Sequence, residues 1–397
     1  MRQVSSGAGG FDYPSSVATD PRTGHLYVGD LDNYRVQEFS ASGAFLSMFG
    51  SGVDRSMDSR ASATSAQRDF CTAASGDVCG SGADGTGAGQ LKYAGSIAVD
   101  PVNGTVYVLE RDLRDDRVDE YTADGRFLWT TGRGVNVGPN GNLCRSSEVE
   151  TRKVRCGPGR EERSEGLEHE AFKFASQDGD LLAAGGPHDL LYVGDEHRVQ
   201  ELDAAGKWVG EIPLISLSAK TGSSVGALAV AGDGELYLVY ATIAGESAMG
   251  EERADTVRRF DRAGAEVGRF VVSPRLPGAT IHIDGIALDP AVHTRELAVI
   301  GVESGEGFHA RFGFLYEAQT GSLIGEFPPP ADNDGLTFNR WGDLYVAATD
   351  DQQVVGYVPG SPMEMVSGPV SCGLEPGQSA GASFECALHR QWLGEES

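Results

Sequence analysis

No run in this 397-residue chain approaches the ~18 consecutive apolar residues that a membrane-spanning helix needs, so no membrane insertion is expected. Basic residues are scarce: 32 Lys and Arg stand against 58 Asp and Glu, a net charge of −26. Such a surface repels phosphate backbones and anionic membranes, which argues against nucleic acid as a partner. A cationic partner or divalent cations suit the field better, although acidity also simply keeps a secreted protein soluble. Cysteine is sparse, with six residues, none at the Cys-x-x-Cys spacing of zinc and redox sites. No Gly-x-Ser-x-Gly stands in the strand-turn-helix setting of a nucleophile elbow. Gly80-Ser81-Gly82 and Gly132-Arg133-Gly134 follow strands rather than open helices, so no phosphate cradle is expected. Met1-Arg2-Gln3-Val4-Ser5 leads into repeat-like sequence with no apolar signal region, so the chain is expected to be a fragment, a mature form or a reading frame begun at an internal start.

What the chain has in abundance is glycine, 55 residues and about twice the usual share, which suits many tight turns. It also repeats. Val17-Ala18-Thr19-Asp20-Pro21, Gly24, Leu26-Tyr27-Val28-Gly29-Asp30 and Asn33-Tyr34-Arg35-Val36-Gln37-Glu38-Phe39 form one unit, closed by a turn at Gly43 and Phe45-Leu46. Copies follow at Ile97-Ala98-Val99-Asp100-Pro101, Leu191-Tyr192-Val193-Gly194-Asp195, Leu228-Ala229-Val230, Ile286-Ala287-Leu288-Asp289-Pro290 and Leu336-Thr337-Phe338. Alternating apolar runs of strand length, punctuated by turn residues, predict a four-stranded antiparallel meander in each copy.

The motif Asp-Pro-x-x-Gly-x-Leu-Tyr-Val-x-Asp-x-x-Asn-x-Arg-Val-Gln-x-Phe of the first copy resembles the NHL repeat of extracellular bacterial proteins. That resemblance implies an all-β fold, a six-bladed β-propeller with four-stranded antiparallel blades, over residues 1–358. Ring packing would bury surfaces that a lone sheet exposes. The sixth copy lacks an obvious outer strand; Arg2 to Ser5 is expected to supply it, with Met363-Glu364-Met365-Val366 as the competitor.

Two insertions interrupt the repeats, 51–88 and 133–170, and both are expected on one rim. Each holds one cysteine pair, Cys71 with Cys79 and Cys144 with Cys156, while Cys372 and Cys386 lie in the tail. Local pairing in non-repeat segments predicts loop-closing disulfides and an oxidising, extracellular or cell-surface setting. Residues 359–397 resemble the truncated start of an immunoglobulin-like module.

Arg35, Arg117 and Arg198, with Arg258 as a fourth candidate, recur at matching positions, and Asp30, Glu110 and Asp195 are their expected partners. A repeated pair serves the repeat rather than a single site. Residues just before the innermost strands surround one channel mouth in a propeller. His282, Asp284, Asn333 and Asp334 stand there and are the candidate ligand-binding residues, with Asp284 and Asp334 able to offer oxygen to Ca²⁺. This Asp-Gly pattern is similar to that of senescence-marker and gluconolactonase propellers, whose first-blade glutamate is replaced here by Ser15. Lyase relatives need histidines converging on the channel; here only His188, His282 and His309 are candidates.

No catalytic residue is assigned. The expected function is a non-enzymatic extracellular module that binds a protein or glycan partner through propeller-face loops, as a monomer or as part of a larger chain. No cofactor is assigned, with Ca²⁺ the one candidate. The alternative is a Ca²⁺-dependent hydrolase or lactonase with its metal at the channel mouth.

Overall fold

The computed structural model describes residues 5–73, 76–112, 115–138, 141–151, 154–160, 169–172, 181–195, 198–214, 224–243, 252–253, 255–290, 295–305, 307–332, 335–357, 384–386 and 391–392. Six sheets, antiparallel except at the outer strand of the sixth, follow one another along the chain. Their first strands are Pro14–Thr19, Ala94–Val99, Leu182–Gly185, Ser224–Val230, Thr280–Leu288 and Leu336–Phe338. Each first strand contacts the first strands of both neighbouring sheets, and the sixth contacts the first. The ring is closed. The chain is a six-bladed β-propeller with mostly four-stranded blades.

The turn after each innermost strand is set by its sequence. Asp20 accepts the Arg22 amide at 2.8 Å, and Asp100 accepts those of Val102 and Asn103 at 2.7 and 3.1 Å. Gly24 and Gly104 then take φ of +77° and +78°, where a side chain is strained. Neighbouring turns also touch: a Cβ on Gly104 would meet the Arg22 guanidinium, and one on Gly24 the Trp341 ring. Apolar residues of facing sheets fill the gaps between blades. At the seam of blades 6 and 1, Phe11, Val17, Val28 and Phe39 pack with Tyr345, Ala347 and Val354.

The repeat arginines prove to be buried clamps. Arg35 pairs with Asp30 at 2.7 Å, and its other nitrogens donate to the carbonyls of Ser6, Gly7, Gly10 and Gly80. Arg117 pairs with Asp119 at 3.1 Å and holds the carbonyls of Thr86, Gln90 and Gly157. Arg198 pairs with Asp195 and Glu211 and holds Ala171. Each thus pins the segment arriving at its own blade. Strand register corrects the fourth member. Phe260 and Phe39 face the same positions of their hairpins, so Thr256, not Arg258, stands where Arg35 does. Arg258 pairs instead with the exposed Glu266. By the same register, blade 5 puts buried Phe312 at this position, opposite Gly301.

The insertions become part of the ring. Phe70–Thr72 adds a fifth strand to blade 1, and Gly141–Arg145 a fifth to blade 2. Two short helices accompany them, α1 (Ser65–Arg68) and α2 (Ser146–Glu150). Cys71–Cys79 and Cys144–Cys156 are bonded as expected. Cys372 lies outside the described residues, as does the side chain of Cys386. The base of each insertion rests on its own blade's turn between second and third strands: Gly82 donates to Asn33, and Gly159 lies against Asp116. Both bases therefore sit at one end of the ring.

The outer strand of blade 6 differs from expectation. Phe384–Cys386 occupies it, parallel to Gln353–Tyr357, and Gln391–Trp392 extends blade 5. Ser5 is not in a strand, its amide donating to Phe11, and residues 1–4 and 363–366 lie outside the described residues. The N-terminal segment does another job. Ser6 and Gly10 supply carbonyls to Arg35 as Thr86 and Gln90 do to Arg117.

Candidate functional site

The six first strands line a narrow central cavity of ≈ 150 Å³, with Ala18, Ala98, Ala183, Ala229 and Ala287 among its walls. Toward the Asp-Pro turns it widens into a funnel of ≈ 640 Å³ bordered by Pro21, Pro101, Val102, Asp233 and Arg295. The opposite mouth is shaped by bulges. In four first strands one residue is left out of the ladder, Ser15, Gly95, Gly226 and Asp284. A bulge re-aims its extra residue, which sets these four apart from the alternation of their strands.

Asp284 has Arg311 as its close neighbour, Nη1 to Oδ2 at 2.6 Å, and His282 Nε2 at 3.6 Å. The second Arg311 nitrogen donates to Asp332. One guanidinium therefore bridges two carboxylates and offsets one of their two charges where a cation had been expected. A calcium ion at Asp284 would compete with this fixed positive charge. Asn333 and Asp334 lie outside the described residues. His188 sits in the turn Gly186–Asp189 at the other end of the strands, and His309 hydrogen-bonds Ser304 on a hairpin of blade 5, so the three histidines do not converge.

Sequence reading missed two other places. In the first insertion, Asp54, Cys71 and Asp77 bring one potential ligand atom each within 4.8 Å of one another. Asp54 is 1% exposed and accepts both the amide and the hydroxyl of Ser56. The Cys71 sulfur is already bonded to Cys79, so in this oxidised form the carboxylates are the metal donors of the group. The second place is a cleft of ≈ 410 Å³ between the insertions, walled by α1, Phe70, Asp124–Phe127 and α2. Its only signals in the sequence were Phe70 beside Cys71 and the Ser146-Ser147-Glu148 helix start.

One stretch of blade 1 matches a known repeat. Residues 11–39 match the NHL repeat. The matched stretch comprises the first three strands of blade 1 with the Asp30–Arg35 clamp, and the other five blades share the sheet architecture. No curated protein matches the chain. Among solved structures, the chain is similar to the hydrazine synthase of Kuenenia stuttgartiensis at 11% identity, covering 87% of this chain and 76% of that one, TM-score 0.46. A streptogramin B lyase is 12% identical over 88% and 93% of the two chains, TM-score 0.40. A gluconolactonase of Xanthomonas campestris is 14% identical over 86% and 85%, TM-score 0.43, a weak similarity. Among the described residues no helix is long and apolar enough to cross a membrane. A propeller with a potential metal-ligand group in one loop is compatible with a binding module and with a metal-dependent hydrolase.

Proposed function

We propose that this propeller is an extracellular recognition module that binds a protein or glycan through its two insertions. One observation carries the reading: both insertions are braced by a disulfide, both add a strand to the ring, and between them they enclose a cleft. Loops of this length are ordinarily functional or disordered, and order of this kind limits the entropy lost on binding. The disulfides support an oxidising location. The test is an array of extracellular-matrix proteins and glycans probed with the wild-type chain and with a variant carrying Gly-Ser sequence in place of 65–68 and 146–150. Ligands held by the first and lost by the second support the reading. Identical profiles, or no ligand on either array, overturn it.

A second reading, a metal-dependent hydrolase or lactonase, draws on the Asp54–Cys71–Asp77 group, whose carboxylates suit hard cations such as Ca²⁺. Asp284, with His282 and the neighbouring Asn333 and Asp334, would serve the substrate at the channel mouth. Lactone and ester hydrolysis that is abolished by EDTA, and lowered in an Asp54→Asn/Asp77→Asn variant, would establish it. Absence of metal-dependent turnover across both substrate classes removes it.

A further inference from the structure

The cleft between the insertions has a chemical character of its own. Its floor and walls are apolar: Phe70 and Phe127 are half-buried and pack onto the core shared by blades 1 and 2, and Val149 packs with Phe127 around the Cys144–Cys156 bridge. The turn beneath is fixed, since a Cβ on Gly125 would stand 2.4 Å from that of Phe49 and 2.9 Å from the Phe70 ring. The lining carries three acids, Asp69, Asp124 and Glu150, and one base, Arg126, a formal charge of −3 + 1 = −2. Asp69 is committed to the Gly52 amide at 2.8 Å. Glu150 has no hydrogen-bond or ion-pair partner among the described residues, and the contact of Asp124 is the Thr122 hydroxyl within its own turn. Two carboxylates thus stand at the rim of an aromatic slot.

We propose that this cleft receives a lysine or arginine side chain of a peptide segment with apolar flanks. The inference rests on the recognition reading and gives it a ligand class. A long cationic side chain lays its methylenes along apolar surface while its head stays polar, and the head gains from ring faces as well as from carboxylates. The volume falls within the range of roughly 300–1,000 Å³ usual for ligand sites, enough for one such side chain and part of its backbone. An anionic ligand would meet three carboxylates against a single guanidinium, on a chain whose net charge of −26 already repels it.

The experiment uses the full chain and a fluorescein-labelled peptide, Ala-Leu-Lys-Phe-Ala, with a control in which norleucine replaces lysine. Fluorescence anisotropy is read for the wild type, for Asp124→Asn/Glu150→Gln, and for Asp350→Asn/Asp351→Asn, a pair in blade 6 that makes the same change of charge. The lysine peptide is expected to bind at least tenfold more tightly than the norleucine peptide. The cleft variant should lose about tenfold, and the blade 6 variant nothing. Equal affinity for both peptides, or equal losses in the two variants, overturns the proposal, the latter by showing diffuse attraction to an acidic surface. Circular dichroism of each variant confirms folding, and both cleft substitutions are on side chains at the surface. Such a failure leaves the recognition reading standing if the array ligands are still lost with the insertion helices; if those ligands are unaffected, that reading falls by itself.

Discussion

Arg35 is fully buried, as is Asp30, and each nitrogen of the guanidinium has an acceptor: one carboxylate, four carbonyls and the Met48 sulfur. A buried ion pair is weak evidence of net stability, but removing one partner leaves an uncompensated charge and orphaned carbonyls. Arg35→Ala is expected to cost about 3–5 kcal/mol in urea unfolding, and Arg258→Ala, at a partly exposed pair, less than ~1 kcal/mol. Similar losses in the two variants would sink the distinction. Blade 5 shows the other solution, since Phe312 opposite Gly301 replaces both members of the pair with packing. Glu120 makes a pH-dependent case. It accepts the Thr105 hydroxyl at 2.7 Å, and burial pushes its carboxyl from 4.5 to about 7. As the pH rises from 4.5, the unfolded chain gives up this proton while the folded chain keeps it until about 7, so this residue makes stability fall across that window. Glu120→Gln keeps an acceptor for Thr105 and removes the titration. The variant should gain on the wild type by up to ~3 kcal/mol between about pH 4.5 and 8, and stability curves that stay parallel across the range would refute it.

At the scale of elements, legibility followed the strength of local constraint. The Asp-Pro-x-x-Gly turns were readable because a capping carboxylate and a positive-φ glycine leave few alternatives at those positions. That Asp284 stands beside an innermost strand was legible; that it, Ser15, Gly95 and Gly226 are bulges shows only in the ladders. Arg258 was misplaced because the fourth copy offers arginines two and three places beyond the clamp position, which hairpin pairing gives to Thr256. The fifth strands were missed for a different reason. Phe70–Thr72 is three residues long, and it is a strand because the edge of blade 1 offers it unpaired groups, a property of the partner rather than of its own sequence. The same holds for Arg311. Nothing in its neighbourhood along the chain announces that it will bridge Asp284 and Asp332, 27 and 21 residues away. The cleft is likewise a meeting of segments from 65 to 150 that only the adjacency of two blades brings together.

The whole molecule depends on the last contact of the ring. Every other pair of neighbouring blades is joined by the chain between them, whereas blades 6 and 1 meet through packing and a few hydrogen bonds: Thr349 to Pro14, Tyr345 to Ala41 and Thr19 to Phe338. Gly335 sits at this seam, and a Cβ there would come within 2.9 Å of the Ser16 Cα and 3.2 Å of the Val17 nitrogen, both backbone atoms that cannot swing aside. Gly335→Val should therefore strain the seam without parting it, at a cost of about 1–3 kcal/mol by the usual measure of overpacking. Gly232→Val, in an exposed turn where nothing lies within 4 Å of the added carbon, is the control and should cost little. The form of the transition is the informative part. In an open array of repeats each unit depends only on its neighbours and an end unit can melt alone. In a closed ring blade 6 has a neighbour on both sides, so the strained variant should unfold in one transition with the same dependence on urea and a lower midpoint. A split transition, with blade 6 lost first while the rest persists, would show that the seam adds contacts without making the six sheets one cooperative unit.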